Sequence, residues 1–338
     1  MVAGDYRGAV RAGTMAAARL HLQLGLRDKI EAEGGNVDVF NAIHTIDLPV
    51  LLRPLQGLLG AYLSDPAPGV LITTQRPMSI QRFTAAHELG HFRLGHQPSL
   101  DDENILRRMP VQAQPSGDLQ EVEANAFAVE FMMPRWLIAT HMVRQGWAVA
   151  DFCPEILYQL SLRLGASYEA TCWTLARHRY LEPGQVRHFL ETRPREIKAG
   201  LLEAYRPHDF RGDVWLLTER DVGTQIDGSH SDLFVLKLKE HSGGGYLWDI
   251  DQLRQSGFAV VRNDLQAIDG DANGVGSPVI RRVTAAPPDA YRGRVTISER
   301  RPWDPDPPLQ TLAVELDLTG PEPEGLSRAE RRGLLEVA

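Results

Sequence analysis

A change of hydrophobic period near Pro207 divides this 338-residue chain into two unlike parts. Before it, runs rich in Ala, Leu, Arg and Glu, such as Met15 to Gly34 and Glu121 to Met133, have the composition and spacing of helices. After it, Leu312-Ala313-Val314-Glu315-Leu316-Asp317-Leu318 alternates with period two. Leu233 to Leu238, Ala259 to Val261 and Val295 to Ile297 read as further short strands between Gly- and Pro-rich turns. A chain with both textures, roughly twice the length of one domain, is expected to be α+β and to bury more than one core.

Within the helical part, Val70-Leu71-Ile72-Thr73-Thr74 is β-branched and stops short of Pro77, as an exposed or edge strand would. A helix is expected from about Ser79 to Gly95, and two more should meet at Gly165-Ala166-Ser167 in a helix-turn-helix-like shape. The bland reading of that pair, two packed helices without a DNA partner, fits the apolar Tyr168, Trp173 and Leu175 of its second helix. The charge balance of 36 Lys and Arg against 44 Asp and Glu, a net −8, disfavours nucleic acid or anionic lipid as a partner. No run approaches a membrane span, and Asp5, Arg7 and Arg11 interrupt any apolar leader, so a cytoplasmic location is expected. The two cysteines, Cys153 and Cys172, lack metal or redox spacing and read as buried thiols.

The chemistry concentrates in His87-Glu88-Leu89-Gly90-His91. Four-residue spacing on a helix puts both imidazoles on one face, one turn apart, where they can reach a single Zn²⁺. Glu88 then lies beside the metal as general base and, later, general acid. A third protein ligand is needed. His96 follows His91 by five residues, which would require the helix to break. Glu121 opens the next helical run and is the better candidate, with Glu123 facing elsewhere as the weaker alternative. Asn125, one turn beyond Glu121, is placed to orient a ligand imidazole.

His-Glu-Leu-Gly-His, the following Leu94-Gly95-His96, the Glu121 to Ala128 segment, Phe131-Met132-Met133-Pro134 and the earlier Leu59-Gly60-Ala61-Tyr62-Leu63 together resemble the ImmA/IrrE family of zinc metallopeptidases. The resemblance covers about residues 15–145, and residues 150–205 resemble the helical region that follows the peptidase in that family. It implies a zincin-like, gluzincin-type site on helices beside a small antiparallel sheet, and cleavage of protein substrates, typically transcriptional repressors. Phe131-Met132-Met133 replaces the more usual Leu-Leu-Met, a change of packing only. Tyr62, His96 and Thr73 are candidate contacts to substrate or transition state. The edge of the Val70 to Thr74 strand could pair with an extended substrate.

In the second part, Gly245-Tyr246-Leu247-Trp248, Gly274-Val275-Gly276-Ser277 and Arg301-Pro302-Trp303-Asp304 resemble, in order, the binding loops of chagasin-like cysteine-peptidase inhibitors, which are Ig-like sandwiches. The inhibitory Asn-Pro-Thr-Thr stretch is here His241-Ser242-Gly243-Gly244, so inhibition is not implied even where the fold is. Tyr246, Trp248 and Trp303 are the candidate loop contacts. The expected divisions are a peptidase domain at 1–148, a helical extension at 149–207, an all-β Ig-like sandwich at 208–320 and a tail or short helix at 321–338. The leading functional expectation is a zinc-dependent endopeptidase, with the β domain recruiting substrate or inhibiting the enzyme. The alternative is a catalytically silent regulatory protein that binds a repressor, a peptidase or DNA. Its oligomeric state is not legible.

Overall fold

The computed structural model describes residues 2–101, 118–267, 277–304 and 306–337. Helices dominate the first two hundred residues and sheets the rest, so the chain is a mixed α+β protein. The helical run expected from Met15 to Gly34 is two helices, α1 (Val2–Gln23) and α2 (Leu26–Glu33), because Gly25 at φ 60° turns the chain between them. After α3 (Val39–Thr45) come strands β1 (Val50–Arg53), β2 (Gly60–Leu63) and β3 (Gly69–Thr73), then helix α4 (Met78–Leu94). Pro77 precedes the first turn of α4, and Gly95, left-handed at φ 70°, ends it. Strand β4 (Ser99–Asp101) and helix α5 (Leu119–Met132) follow. Asp118 caps α5 by accepting the Gln120 N–H.

Two expectations about the small sheet are corrected. Strand β3 lies in its interior, paired with β1 on one side and β2 on the other, so it offers no edge to a substrate. Pro77 lies beyond the strand and obstructs neither ladder. The sheet is also mixed: β2 runs antiparallel to β3, but β1 lies parallel to it. Beyond β2, strand β4 continues the sheet in antiparallel pairing, Asp101 opposite Gly60. Beyond β1 lies β13 (Gly325–Leu326), from the far end of the chain, with Leu326 opposite Leu51. The final order is β13-β1-β3-β2-β4.

Helices α6 (Arg135–Gln145), α7 (Pro154–Leu164), α8 (Tyr168–Arg177), α9 (Pro183–Glu191) and α10 (Pro194–Leu202) complete the helical part. The turn between α7 and α8 is the one expected, with Gly165 left-handed and the Ser167 hydroxyl accepting the Ala170 N–H. Among its described residues the β part holds two four-stranded sheets. One contains β5 (Val214–Leu217), β7 (Leu233–Glu240), β10 (Val279–Ala286) and β9 (Ala259–Ala267), in that order. The other contains β6 (Gln225–Asp227), β12 (Gln310–Asp317), β11 (Arg292–Arg300) and β8 (Leu247–Trp248). Leu217, Phe234, Leu236 and Ala285 from the first sheet face Val295, Ile297, Leu312 and Val314 from the second across one apolar space. Helix α11 (Asp251–Gln255) closes this core with Leu253. No helix among the described residues is long and apolar enough to cross a membrane.

Buried polar contacts join the two parts. Gln159 donates to the Val214 carbonyl at 2.7 Å and accepts the Leu216 N–H at 2.8 Å, so one amide side chain docks α7 along β5. Arg163, also on α7, meets the fully buried carboxylate of Asp221 at 2.7 Å, and Gln145 donates to the same oxygen. The chain then returns to its beginning: β13 extends the first sheet, and helix α12 (Arg328–Val337) packs on α3, where a Cβ at Gly333 would run into the His44 ring. Gln81, in the first turns of α4, donates to the Glu322 carbonyl at 3.2 Å and accepts its N–H at 2.8 Å. The tail is thus part of the first sheet. Removing residues 321–338 should expose the outer side of β1, since each ladder bond lost contributes about 1 kcal/mol. Amide exchange in residues 50–53 should accelerate roughly tenfold or more, measured by hydrogen–deuterium exchange mass spectrometry. Unchanged protection there would show that the tail contributes nothing to the sheet.

Candidate metal centre

The site begins with how closely α4 and α5 approach. A Cβ at Gly90 would sit 3.2 Å from the Ala124 Cα and 3.1 Å from the Phe127 Cβ, so glycine lets the α5 backbone press against α4. On its other side α5 is pressed by α1, where Gly13 lies against the backbone of Glu123 and Phe127. This explains why α5 is apolar nearly all round, with Ala124, Ala126, Phe127, Ala128 and Phe131 all buried. A Phe127–Phe131 stack at 5.5 Å fills the space behind the site.

Held this way, α5 brings Glu121 over the two α4 histidines. The Nε2 atoms of His87 and His91 are 3.0 Å apart. Glu121 places Oε2 3.5 Å from His87 Nε2 and Oε1 3.5 Å from His91 Nε2. All three residues are buried, and among the described residues they are the group of His, Cys, Asp or Glu side chains that could hold a metal ion.

A second row of contacts orients His91. Its Nδ1 lies 3.0 Å from Nδ1 of His96, whose Nε2 lies 2.8 Å from the Glu123 carboxylate. One proton arrangement satisfies the chain: His96 Nε2–H donates to Glu123, and His91 Nδ1–H donates to the Nδ1 lone pair of His96. That tautomer turns the Nε2 lone pair of His91 toward His87 and Glu121, as a metal ligand requires. The helix break anticipated as an obstacle to His96 is what allows this contact. Gly95 ends α4, and the His96 N–H returns to the His91 carbonyl at 3.0 Å. Glu123, expected to face elsewhere, is thus joined to the site through His96. The pairing of His91-x₄-His96 with Glu121-x-Glu123 was the available signal, and spacing alone could not show that the two ends meet.

Glu88 is completely buried between α4 and β2, and a Cβ at Gly60 would come within 2.7 Å of its Oε1. Gly60 is the position on β2 where the carboxylate and the strand backbone share one space. Asn125 is buried on α5, one turn past Glu121. Tyr62 is buried with its ring edge-on to Phe92, at 6.3 Å. Thr73 is buried and organises the chain leaving β3: its hydroxyl accepts the Leu55 and Gln75 N–H groups, and its carbonyl accepts the Gln81 amide.

Residues 46–176 match the M78 peptidase family through its IrrE N-terminal-like domain. The match spans β1 to α8 and includes all three residues of the candidate centre, and it supports a peptidase. No curated protein matches the chain. Among solved structures the chain is similar to EhICP2, a cysteine protease inhibitor from Entamoeba histolytica, at 24% identity over 32% of this chain and 99% of that one, TM-score 0.27. It is also similar to Amebosin, at 20% identity over 31% of this chain and 96% of that one, TM-score 0.26.

The loop contacts expected in the β part divide. Trp303 is 72% exposed and packs over Gly245, while Arg301 lies 4.5 Å above the Tyr246 ring and donates to the Gly244 carbonyl. Trp248 is not a surface contact: it is buried, its indole N–H donates to the Lys239 carbonyl, and its backbone N–H donates to buried Glu240. Pairing of β8 with β11 turns this residue into the core. Gly274, Val275 and Gly276 of the second expected loop lie outside the described residues.

Replacing Glu121 with Ala should abolish metal retention through dialysis, read by inductively coupled plasma mass spectrometry. Glu123→Ala and His96→Ala should retain metal with affinity weakened roughly 10- to 100-fold, as for partners that only orient a ligand. Full retention by Glu121→Ala would remove it from the ligand set.

Proposed function

We propose that the chain is a zinc-dependent endopeptidase of gluzincin type that cleaves a protein partner. The observation that carries this reading is the triangle of His87, His91 and Glu121, with donor separations of 3.0, 3.5 and 3.5 Å. Tetrahedral zinc with bonds of about 2.0–2.2 Å spaces its ligands about 3.3–3.6 Å apart, and two histidines with one carboxylate are an established set for catalytic zinc. The two His–Glu separations match that spacing and the His–His separation is a few tenths of an ångström short of it, so the residues present fit the ion once the two imidazoles part slightly. A bound zinc supplies Lewis-acid activation of water and polarisation of the scissile carbonyl.

The rest of the reaction falls to this chain's own groups. Glu88 follows His87 directly in the sequence, so the helix that fixes the ligand also fixes the base. Its carboxylate takes the proton from the attacking water and passes it to the departing amine nitrogen. Burial keeps that carboxylate out of bulk water, where it would exchange its proton with solvent. Glu123 and His96 hold the tautomer of His91. The substrate that suits the family resemblance is a regulatory protein such as a transcriptional repressor. We read the β part as an Ig-like sandwich that recruits this partner through the exposed Trp303 and the Tyr246–Arg301 pair.

Glu88→Gln keeps the shape of the side chain and removes the base. Its metal content should equal that of the parent, while cleavage of a denatured protein substrate should fall by roughly 10²- to 10⁴-fold. The check is gel and mass-spectrometric analysis of fragments alongside metal analysis. Parental cleavage by this variant would sink the assignment of Glu88.

A further inference from the structure

A cavity of about 550 Å³ lies between the start of α4 and the helices that follow the metal-bearing pair. Its size is that of a site for an organic group, far above a packing defect. Phe83, Met132, Met133 and Ala166 form a buried apolar floor. Ser167, Glu169, Thr192 and Arg193 stand among its polar lining. Methionine thioethers adapt to apolar groups of different shape, so this floor suits a class of side chains rather than one outline.

Two features connect the cavity to the candidate centre. On α4, Ile80, Phe83 and His87 are spaced three and four residues apart and so follow one face of the helix. The Phe83 ring that forms the cavity floor lies 6.4 Å, centroid to centroid, from the His87 ring. A group seated in the cavity therefore sits one ring away from a metal-ligating imidazole. The opposite wall comes from the α7–α8 turn and from the junction of α9 and α10, through Leu190 and Pro194.

We infer that this cavity is a specificity pocket of the peptidase, receiving a bulky apolar side chain of the protein substrate close to the bond that is cut. The inference rests on the peptidase reading above and gives the helical segment 149–207 a direct part in substrate choice. The Phe83 ring, shared by the cavity floor and the surroundings of His87, favours a substrate residue over a free small molecule, because it sets the cavity beside the candidate centre.

The test uses the full-length protein and peptides with a Gly/Ser/Lys background and one variable position, Phe, Leu or Ala. Binding of fluorophore-labelled peptides is measured on zinc-loaded Glu88→Gln protein, which separates recognition from turnover, and cleavage is measured on the parent. Phe and Leu peptides should bind roughly tenfold or more tightly than Ala peptides. Cleavage should fall at one fixed distance from the apolar residue. Ala170→Phe and, from the opposite wall, Thr192→Trp each fill the cavity and should erase the preference while leaving metal content and thermal midpoint near the parent's. Equal binding of all three peptides, or a preference that survives both filling variants, overturns the pocket. Uptake of the apolar dye 1-anilinonaphthalene-8-sulfonate into the cavity without any peptide preference overturns it in favour of a small-molecule site. Selective binding of Phe and Leu peptides, abolished by the filling variants but with no cleavage by the parent, keeps the pocket and rejects the peptidase reading.

Discussion

The approach of α5 to α4 at Gly90 is the contact on which the candidate centre depends. Helices packed through ordinary side chains keep their axes about 8–10 Å apart. A carboxylate on one then reaches the imidazoles of the other only if the facing residues are small. Gly90 supplies that on α4, and Gly13 on α1 supplies it behind α5. Helix α5 is thereby clamped from two sides, and Glu121 arrives with its two oxygens equidistant from the two Nε2 atoms. Gly60 does the corresponding work on β2, making room for Thr84 and Glu88. Three glycines thus fix the spacing among three helices and a strand, and adding one methyl group at any of them would push a functional side chain away from its partners.

What could be read from the sequence was what repeats or is local. The four-residue interval of His87 and His91, the αL glycine ending α4 and the turn at Gly165 each depend on a few adjacent residues, and all appear where expected. Glu121 emerged because it opens a helical run. The pairing order of the first sheet did not, since β1 and β13 are separated by more than two hundred residues and Gly325-Leu326 is too short to show a period. Strand β3 illustrates the same limit: β-branched composition identifies a strand, but only its neighbours decide whether it is an edge. Trp248 was misplaced for a related reason, because a two-residue strand carries no alternation from which to tell its inner face.

Between the helical and β parts the interface is polar and buried at its centre. Arg163 and Asp221 are both almost wholly buried, and Gln145 and the Thr218 N–H complete the coordination of the carboxylate. A buried pair of this kind adds little net stability over an apolar pair of the same volume, yet losing one partner costs about 3–5 kcal/mol because the other charge is stranded. Its effect is therefore to penalise wrong docking. The Trp147 and Trp215 rings, each within 6.0 Å of the Arg163 guanidinium, reinforce that selectivity with cation–π contacts. Burial also pushes His141 down to about 3, with the nearby Arg163 adding to the shift, so this histidine stays neutral at the same junction.

The helix that carries the two histidines is consequently anchored at both ends by different parts of the chain. Its last turn is tied through His96 to Glu123 on α5. Its first turns are tied to the β part and the tail, by Arg82 to Asp227 at 3.3 Å and by the paired bonds of Gln81 with Glu322. The two anchors differ in kind. Burial raises the Asp227 carboxyl above its ordinary range, an effect that Arg82 only partly offsets and that Asp38 and Asp317 reinforce, so this contact weakens as pH falls. Four residues of continuous helix separate Arg82 from His87. Phe83, next to Arg82 on the same helix, is where the apolar cavity and His87 meet.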